Sequence, residues 1–214
     1  MTRPPQRSSG ASVPVIGIAG GIGSGKSSVA RHLASLGALV SDSDAQIREA
    51  LQTQPVRDEL RRWWGQRVFD ESGRIDRSAV ARIVFADPRE RERLEALLHP
   101  YALRARERVI EQGEREGAPC VVIDAPLLFE AGLDAGCDAI IFVDTPREIR
   151  LQRLHATRGW DEQELDRREK AQLPLEQKRA RSEYTLVNEG DEAALREQVR
   201  HTLALIREAF LSRP

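Results

Sequence analysis

Short apolar runs alternate with stretches of helical period along this chain. Five runs, 14–19, 38–41, 120–124, 139–143 and 184–187, are rich in aliphatic and β-branched residues, and the pattern predicts a strand at each. Helical patterns lie between them. Val29, Leu33 and Leu36 recur at helical spacing after the first run. Leu195, Val199, Thr202, Ile206 and Phe210 mark an amphipathic helix after Gly190, the residue expected to end the last strand and turn the chain. Strands interleaved with helices predict an α/β fold with a mainly parallel five-stranded sheet.

The gap between the second and third runs departs from that rhythm, because residues 44–118 hold no strand pattern and read as helices. In Asp87-Pro88-Arg89-Glu90, an Asp cap precedes a proline at the first helical position, with Glu three after the cap. Leu94, Leu97, Leu98 and Tyr101 then form one stripe, which Pro100 is expected to kink or break. Thr145-Pro146-Arg147-Glu148 repeats the start signal, and Asp161 with Glu164 forms a further capping box.

The organisation expected is a core of residues 13–43, 119–145 and 183–214, a helical insertion at 44–118 and a second helical segment at 146–182. Residues 1–12 carry two prolines and three serines without an apolar stretch. They are expected to form a disordered extension and not a secretion signal.

Composition narrows the class. With 31% charged residues and a formal net charge of −1, no global field draws the chain to nucleic acid or membrane. No apolar stretch approaches the roughly 20 residues that span a bilayer. Cys120 and Cys137 sit in or beside apolar runs with no C-x-x-C pair, so buried reduced thiols and a cytoplasmic setting are expected.

The chemistry concentrates at Gly20-Gly21-Ile22-Gly23-Ser24-Gly25-Lys26-Ser27, which fits G-x-x-x-x-G-K-[S/T] between a strand and a helix. Glycines there let several backbone N–H groups converge on one anion, and the helix start adds unpaired donors and a positive dipole end. Lys26 would reach the β- and γ-phosphates of a nucleoside triphosphate, and the Ser27 hydroxyl would hold Mg²⁺. The alternative is a glycine-rich turn without a ligand. Ser41-Asp42-Ser43-Asp44 follows the second strand, on the rim where open parallel sheets bind ligands. Asp42 would take an acceptor proton or hold a metal-bound water, while Asp44 caps the next helix. Asp124 closes the third strand in the manner of a Walker-B acid and would orient magnesium-bound water. The arginines of 146–182 are interleaved with acids and mostly read as solvated faces. The guanine-reading N-K-x-D is absent, and Asp70-Glu71-Ser72-Gly73 reads as a surface turn, which disfavours a GTPase. A small metabolite or nucleotide kinase is the economical reading.

Together with the loop, Asp42-Ser43-Asp44-Ala45, Ile83-Val84-Phe85-Ala86-Asp87-Pro88, Leu98-His99-Pro100 and Asp124-Ala125-Pro126-Leu127-Leu128-Phe129-Glu130 resemble the dephospho-CoA kinase family. Arg158-Gly159-Trp160, Arg168 with Gln172, Lys178, and Asn188 with Gly190 continue the resemblance. It implies a three-layer P-loop kinase core, a helical acceptor domain at 44–118 and a lid at 146–182. ATP would phosphorylate the ribose 3′-hydroxyl of dephospho-CoA with Mg²⁺ as cofactor. Asp42, Lys26 and Arg153 would be catalytic. Gly21, Ile22, Gly23, Ser24, Gly25, Lys26, Ser27, Ser28 and Arg158 would bind ATP, and His99, Asp124 and Arg168 would serve the acceptor. Mg²⁺ would sit on Ser27, with waters held by Asp42 or Asp124. The partners implied are ATP and dephospho-CoA, in a monomer or small homo-oligomer. Another small P-loop kinase and a nucleotide switch without net transfer are the rival readings. Trp63 and Trp64 are expected to pack in a core, with substrate stacking as the lesser alternative.

Overall fold

The computed structural model describes residues 12–213. The extension expected at 1–12 therefore lies, Ser12 apart, outside the described residues. β1 (Val15–Gly20), β2 (Leu39–Asp42), β3 (Val121–Asp124), β4 (Ala139–Asp144) and β5 (Tyr184–Val187) form one parallel sheet in the order β2-β3-β1-β4-β5. Each expected strand is present, displaced by at most one residue at an end. Ile18 of β1 pairs with Asp124 of β3, and Gly20 pairs with Val143 of β4. The carboxyl ends of β1, β3 and β4 are thereby brought level.

Strand side chains alternate between the faces, as a period of two requires. Ile16, Ile18, Val122, Ile141 and Val143 enter one core with Val29 and Leu33 of α1 (Lys26–Ser35). Leu195, Val199, Leu203 and Ile206 of α9 (Glu192–Leu211) complete that core. Val15, Ala19, Val121, Ile123, Ile140 and Phe142 enter the other, with Leu128 and Phe129. Helices on both faces give the three-layer arrangement. Cys120 and Cys137 are buried free thiols, and burial pushes the Cys120 thiol up to about 12.

Two compact units divide the chain. One holds the residues up to Ser41 and from Val109 onward, and the other holds Asp42–Arg108. The second contains α2 (Ser43–Gln52), α3 (Gln54–Trp64), α4 (Arg77–Ala86) and the first two-thirds of α5 (Pro88–Glu116). Its core is built on Val56, Leu60, Trp64, Val68, Val80 and Leu98. Trp64 is buried there with Nε1 donating to Glu90, and Trp63 meets it edge-on at 5.8 Å. The Asp70–Gly73 segment is the surface turn the sequence suggests, with Asp70 Oδ1 accepting from the Ser72 and Arg74 amides.

Two local expectations are corrected. Of the kink or break expected at Pro100, the break is ruled out, because Pro100 lies inside α5 without ending it. A proline removes one backbone donor, while Leu94, Leu97, Leu98 and Tyr101 pack on the unit's core on both sides of it. Thr145 does not cap α6 (Arg147–Arg158), which starts after Pro146 with no side-chain cap. Its hydroxyl instead donates to the Ser24 carbonyl at 2.9 Å. Asp87 and Asp161 do cap, accepting from the Arg89 and Glu164 amides.

Ile141 is fully buried in β4 beside β1. Ile141→Ala is expected to lower the unfolding free energy by about 2–5 kcal/mol, read from urea denaturation at unchanged m-value. A loss near zero would show that this face of the sheet does not carry the core.

Candidate active site

Strand β1 ends at Gly20 and helix α1 begins at Lys26, so five residues carry the chain around one arch. Gly20, Gly23 and Gly25 take positive φ angles of 148°, 78° and 90°. Gly25 is the N-cap of α1 in left-handed conformation, which strains any residue with a Cβ. Space imposes the same choice. A Cβ on Gly25 would collide with Asn188 Nδ2, and one on Gly21 would meet Arg150 Nη1 at 2.8 Å.

The arch is held from outside by its carbonyls. Ser24 O accepts from Thr145 Oγ1 at 2.9 Å, Asn188 Nδ2 at 2.8 Å and Arg153 Nη1 at 3.5 Å. Ile22 O accepts from Arg150 Nη1 at 3.2 Å. A trans peptide directs its C=O and N–H to opposite sides, so these bonds turn the Gly23 and Gly25 N–H groups the other way. Amides so turned, at a helix N-terminus, form an anion-binding concavity.

Lys26 Nζ donates to Gly20 O at 3.1 Å and Gly21 O at 3.0 Å, curled against the loop it belongs to. Desolvation and the neighbouring Lys178 ammonium push Lys26 down to about 8, Arg150 adds to the fall, and Asp124 and Glu130 oppose it. Lys178 is buried between Glu130 Oε1 at 2.9 Å and Gln172 Oε1 at 2.8 Å. Burial alone would raise the Glu130 carboxyl, but hydrogen bonds from Lys178 and the Leu173 amide hold it below the ordinary range.

The other expected residues fall in distinct places. Arg153 donates to Asn188 O and Oδ1 as well as Ser24 O, so its guanidinium grips loop backbone. Arg158 and Arg168 are exposed and share Trp160, their guanidinium carbons 5.0 and 4.1 Å from its ring. Ser27 is exposed at the first turn of α1, and the Ser28 hydroxyl accepts from Arg31. Asp124 is the last residue of β3. His99 is exposed on α5, one residue before Pro100.

Asp42 is the last residue of β2, and it corrects one expectation. It caps α2, its Oδ1 accepting from the Ala45 amide at 2.8 Å, so Asp44 is not the cap. In an Asp-x-Asp pair at a strand end, the earlier residue has the extended backbone that an N-cap needs.

Sequence reasoning missed Thr145 and Arg150 as supports of the loop. Thr145 imitated a cap signal. Arg150 was one arginine among many, yet it shares the buried face of α6 with Leu154 four residues on, and that placement was the available clue.

A family model described as dephospho-CoA kinase matches residues 14–194. The chain is similar to the dephospho-CoA kinase of Anaeromyxobacter dehalogenans, 39% identical over 194 residues, covering 90% of this chain and 92% of that one. A solved Thermus thermophilus structure superposes with a TM-score of 0.76 at 39% identity, covering 90% of this chain and 97% of that one. A Campylobacter jejuni dephospho-CoA kinase structure gives 0.64 at 20% identity, covering 92% and 98%, a likeness of fold.

The depressed Lys26 predicts a pH signature. The free protein loses the Lys26 charge as pH rises through about 8, so kcat/KM for ATP should fall across that pH. Bound triphosphate favours the charged form, so kcat should hold its plateau to higher pH. A kcat/KM flat to about pH 9.5 would contradict this. Gly25→Ala should abolish nucleotide binding, since both its backbone and its space are denied; binding within a few-fold of wild type by calorimetry would refute that.

Proposed function

The chain belongs to the dephospho-CoA kinase family, and on that premise we propose that it transfers the γ-phosphoryl group of ATP to the ribose 3′-hydroxyl of dephospho-CoA. The products are coenzyme A and ADP. The observation that carries the reading is the phosphate loop itself, whose Ile22 and Ser24 carbonyls are tied outward so that the amides after them turn to an anion.

Phosphoryl transfer asks for positioning and charge neutralisation more than covalent help. The backbone from Gly21 to Gly25 would cradle the phosphates, with Lys26 leaving its loop carbonyls to meet the β- and γ-oxygens. Ser27 and Ser28 line the start of the helix, Ser28 with its hydroxyl already engaged by Arg31. Arg153 would steady the loop and face the phosphoryl group in flight. Arg158 would meet ATP, and Arg168 would serve the acceptor side with His99 and Asp124. A guanidinium fork suits such spread negative charge. Residues 146–182 would act as a lid that excludes water from the reaction.

The donor set fits Mg²⁺. The exposed Ser27 hydroxyl and the strand-end carboxylates are hard oxygen ligands, and among the described residues no group of three or more acidic, His or Cys side chains is placed to hold a metal ion. An ion that keeps several of its waters suits so sparse a set. Ser27 would be a direct ligand, and Asp42 or Asp124 would hold its waters. When bound, Mg²⁺ neutralises charge on the β- and γ-phosphates.

Asp42 would act as the base toward the 3′-hydroxyl through Oδ2, because Oδ1 is committed to the cap. That commitment favours one second reading, with Asp44 on the first turn of α2 taking the proton while Asp42 fixes the helix start. We place the protein in the cytoplasm as a monomer or small homo-oligomer, with ATP and dephospho-CoA as partners and neither nucleic acid nor membrane among them. Among the described residues no helix is long and apolar enough to cross a membrane.

ADP release with Mg-ATP should depend on dephospho-CoA, and product mass should rise by one phosphoryl group. Acceptor-independent hydrolysis would favour a nucleotide switch, and transfer to a different hydroxyl acceptor would favour another small kinase. Asp42→Asn should keep ATP binding and lose about 10²–10⁴ in kcat, with Asp44→Asn far milder. The reverse ranking would move the base to Asp44.

A further inference from the structure

The phosphate loop has two outward carbonyl anchors, and they are unequal. Ser24 O has three donors on three different side chains. Ile22 O is met by Arg150 alone among the described residues. Arg150 is 3% exposed, so its charge and its donors have to be satisfied within the protein. Its Nε donates to Thr145 O at 3.2 Å, and its Nη1 serves both Ile22 O and Glu169 Oε1. Glu169 is the last residue of α7 (Glu162–Glu169), and its other oxygen accepts from Arg147 at 3.2 Å. Arg147 in turn holds Asp166 at 2.5 Å and Glu162 at 3.2 Å, so one face of α7 is clamped onto α6 through two arginines. Gly21 is packed on the Arg150 guanidinium, and Gly23 on the Arg150 backbone carbonyl.

We propose that Arg150 is a positioning residue for phosphoryl transfer, holding the Ile22–Gly23 peptide so that the Gly23 amide meets the triphosphate, with Glu169 fixing the guanidinium. Arg150 acts through the loop and does not itself touch the nucleotide. Peptide geometry sets the direction of the effect. If the pull on Ile22 O is lost, that peptide is free to rotate, and one of the inward amides is lost to the phosphates while Ser24 and Gly25 stay in place. The clamp also makes the α7 end of residues 146–182 a determinant of loop geometry, although α7 lies more than 130 residues further along the chain than the loop. The inference rests on the loop being the triphosphate site.

The test compares wild type with Arg150→Met, Arg150→Lys and Glu169→Gln. It uses steady-state kinetics in each substrate, ADP calorimetry and thermal melting. Arg150→Met should raise KM for ATP and the ADP dissociation constant by about tenfold, the scale of one charge-assisted hydrogen bond. KM for dephospho-CoA should stay within about twofold. Arg150→Lys, with charge but no fork, should recover part of the loss. Glu169→Gln should shift ADP affinity in the same direction by a smaller factor, and the Arg150→Met, Glu169→Gln double variant should be no worse than Arg150→Met alone. A merely structural Arg150 would lower the melting temperature and the active fraction while leaving both KM values and ADP affinity unchanged, and that result would overturn the proposal. If Arg150→Met does not fold, Glu169→Gln decides it, since unchanged ADP affinity there would remove the clamp. Wild-type protein that binds no ADP would overturn the triphosphate reading itself and this inference with it.

Discussion

A planar trans peptide cannot present its carbonyl and its amide to the same side, and the site of this protein is built on that constraint. Bonds to the Ile22 and Ser24 carbonyls come from outside the loop, from α6, from the residue after β4 and from the residue after β5. What those bonds decide is where the following amides look. The loop has little apolar content to hold it by packing, so its shape is imposed by donors on the surrounding elements. Those donors are in reach because the parallel sheet sets β1 between β3 and β4, with its end level with theirs.

The same arrangement concentrates positive charge. Lys26, Lys178, Arg150 and Arg153 gather around one short loop, and Lys26 loses basicity partly because of its neighbours. Such a gathering would be costly in a dry interior without counter-charge. Glu130 answers Lys178, Glu169 answers Arg150, and Asp124 lies near enough to Lys26 to act on its titration. Three of the four cations are thus steadied by a carboxylate, while Arg153 is held by neutral oxygens of Ser24 and Asn188, leaving a field suited to a polyanion.

Glycines in the loop serve packing as much as conformation. Gly21 seats the Arg150 guanidinium and Gly25 lies against the Asn188 amide, so the residues that hold the carbonyls come close only because no Cβ intervenes. A motif usually explained by its approach to phosphate is therefore also the footprint of the layer behind it. That second demand explains why Gly21 is tightly enclosed although its φ angle is not positive.

Local pattern was enough for the five strands, for α1 and α9, and for the phosphate loop. Each depends on contacts close in sequence or on a period that burial enforces. The caps at Asp87 and Asp161 were legible for the same reason, because a cap and its amide lie within three residues. Tertiary structure decided the rest. Thr145 had a cap's sequence and found a better acceptor in Ser24, 121 residues away. Pro100 had a breaker's sequence, but the flanking leucines are packed into the core of their unit. Asp42 and Asp44 were equivalent as letters until the backbone at the end of β2 made the first one the cap. Arg150 is the clearest case. Whether an arginine waves in water or holds a loop depends on what lies opposite its helix face, and that partner is chosen by the sheet order, which no local stretch of sequence encodes.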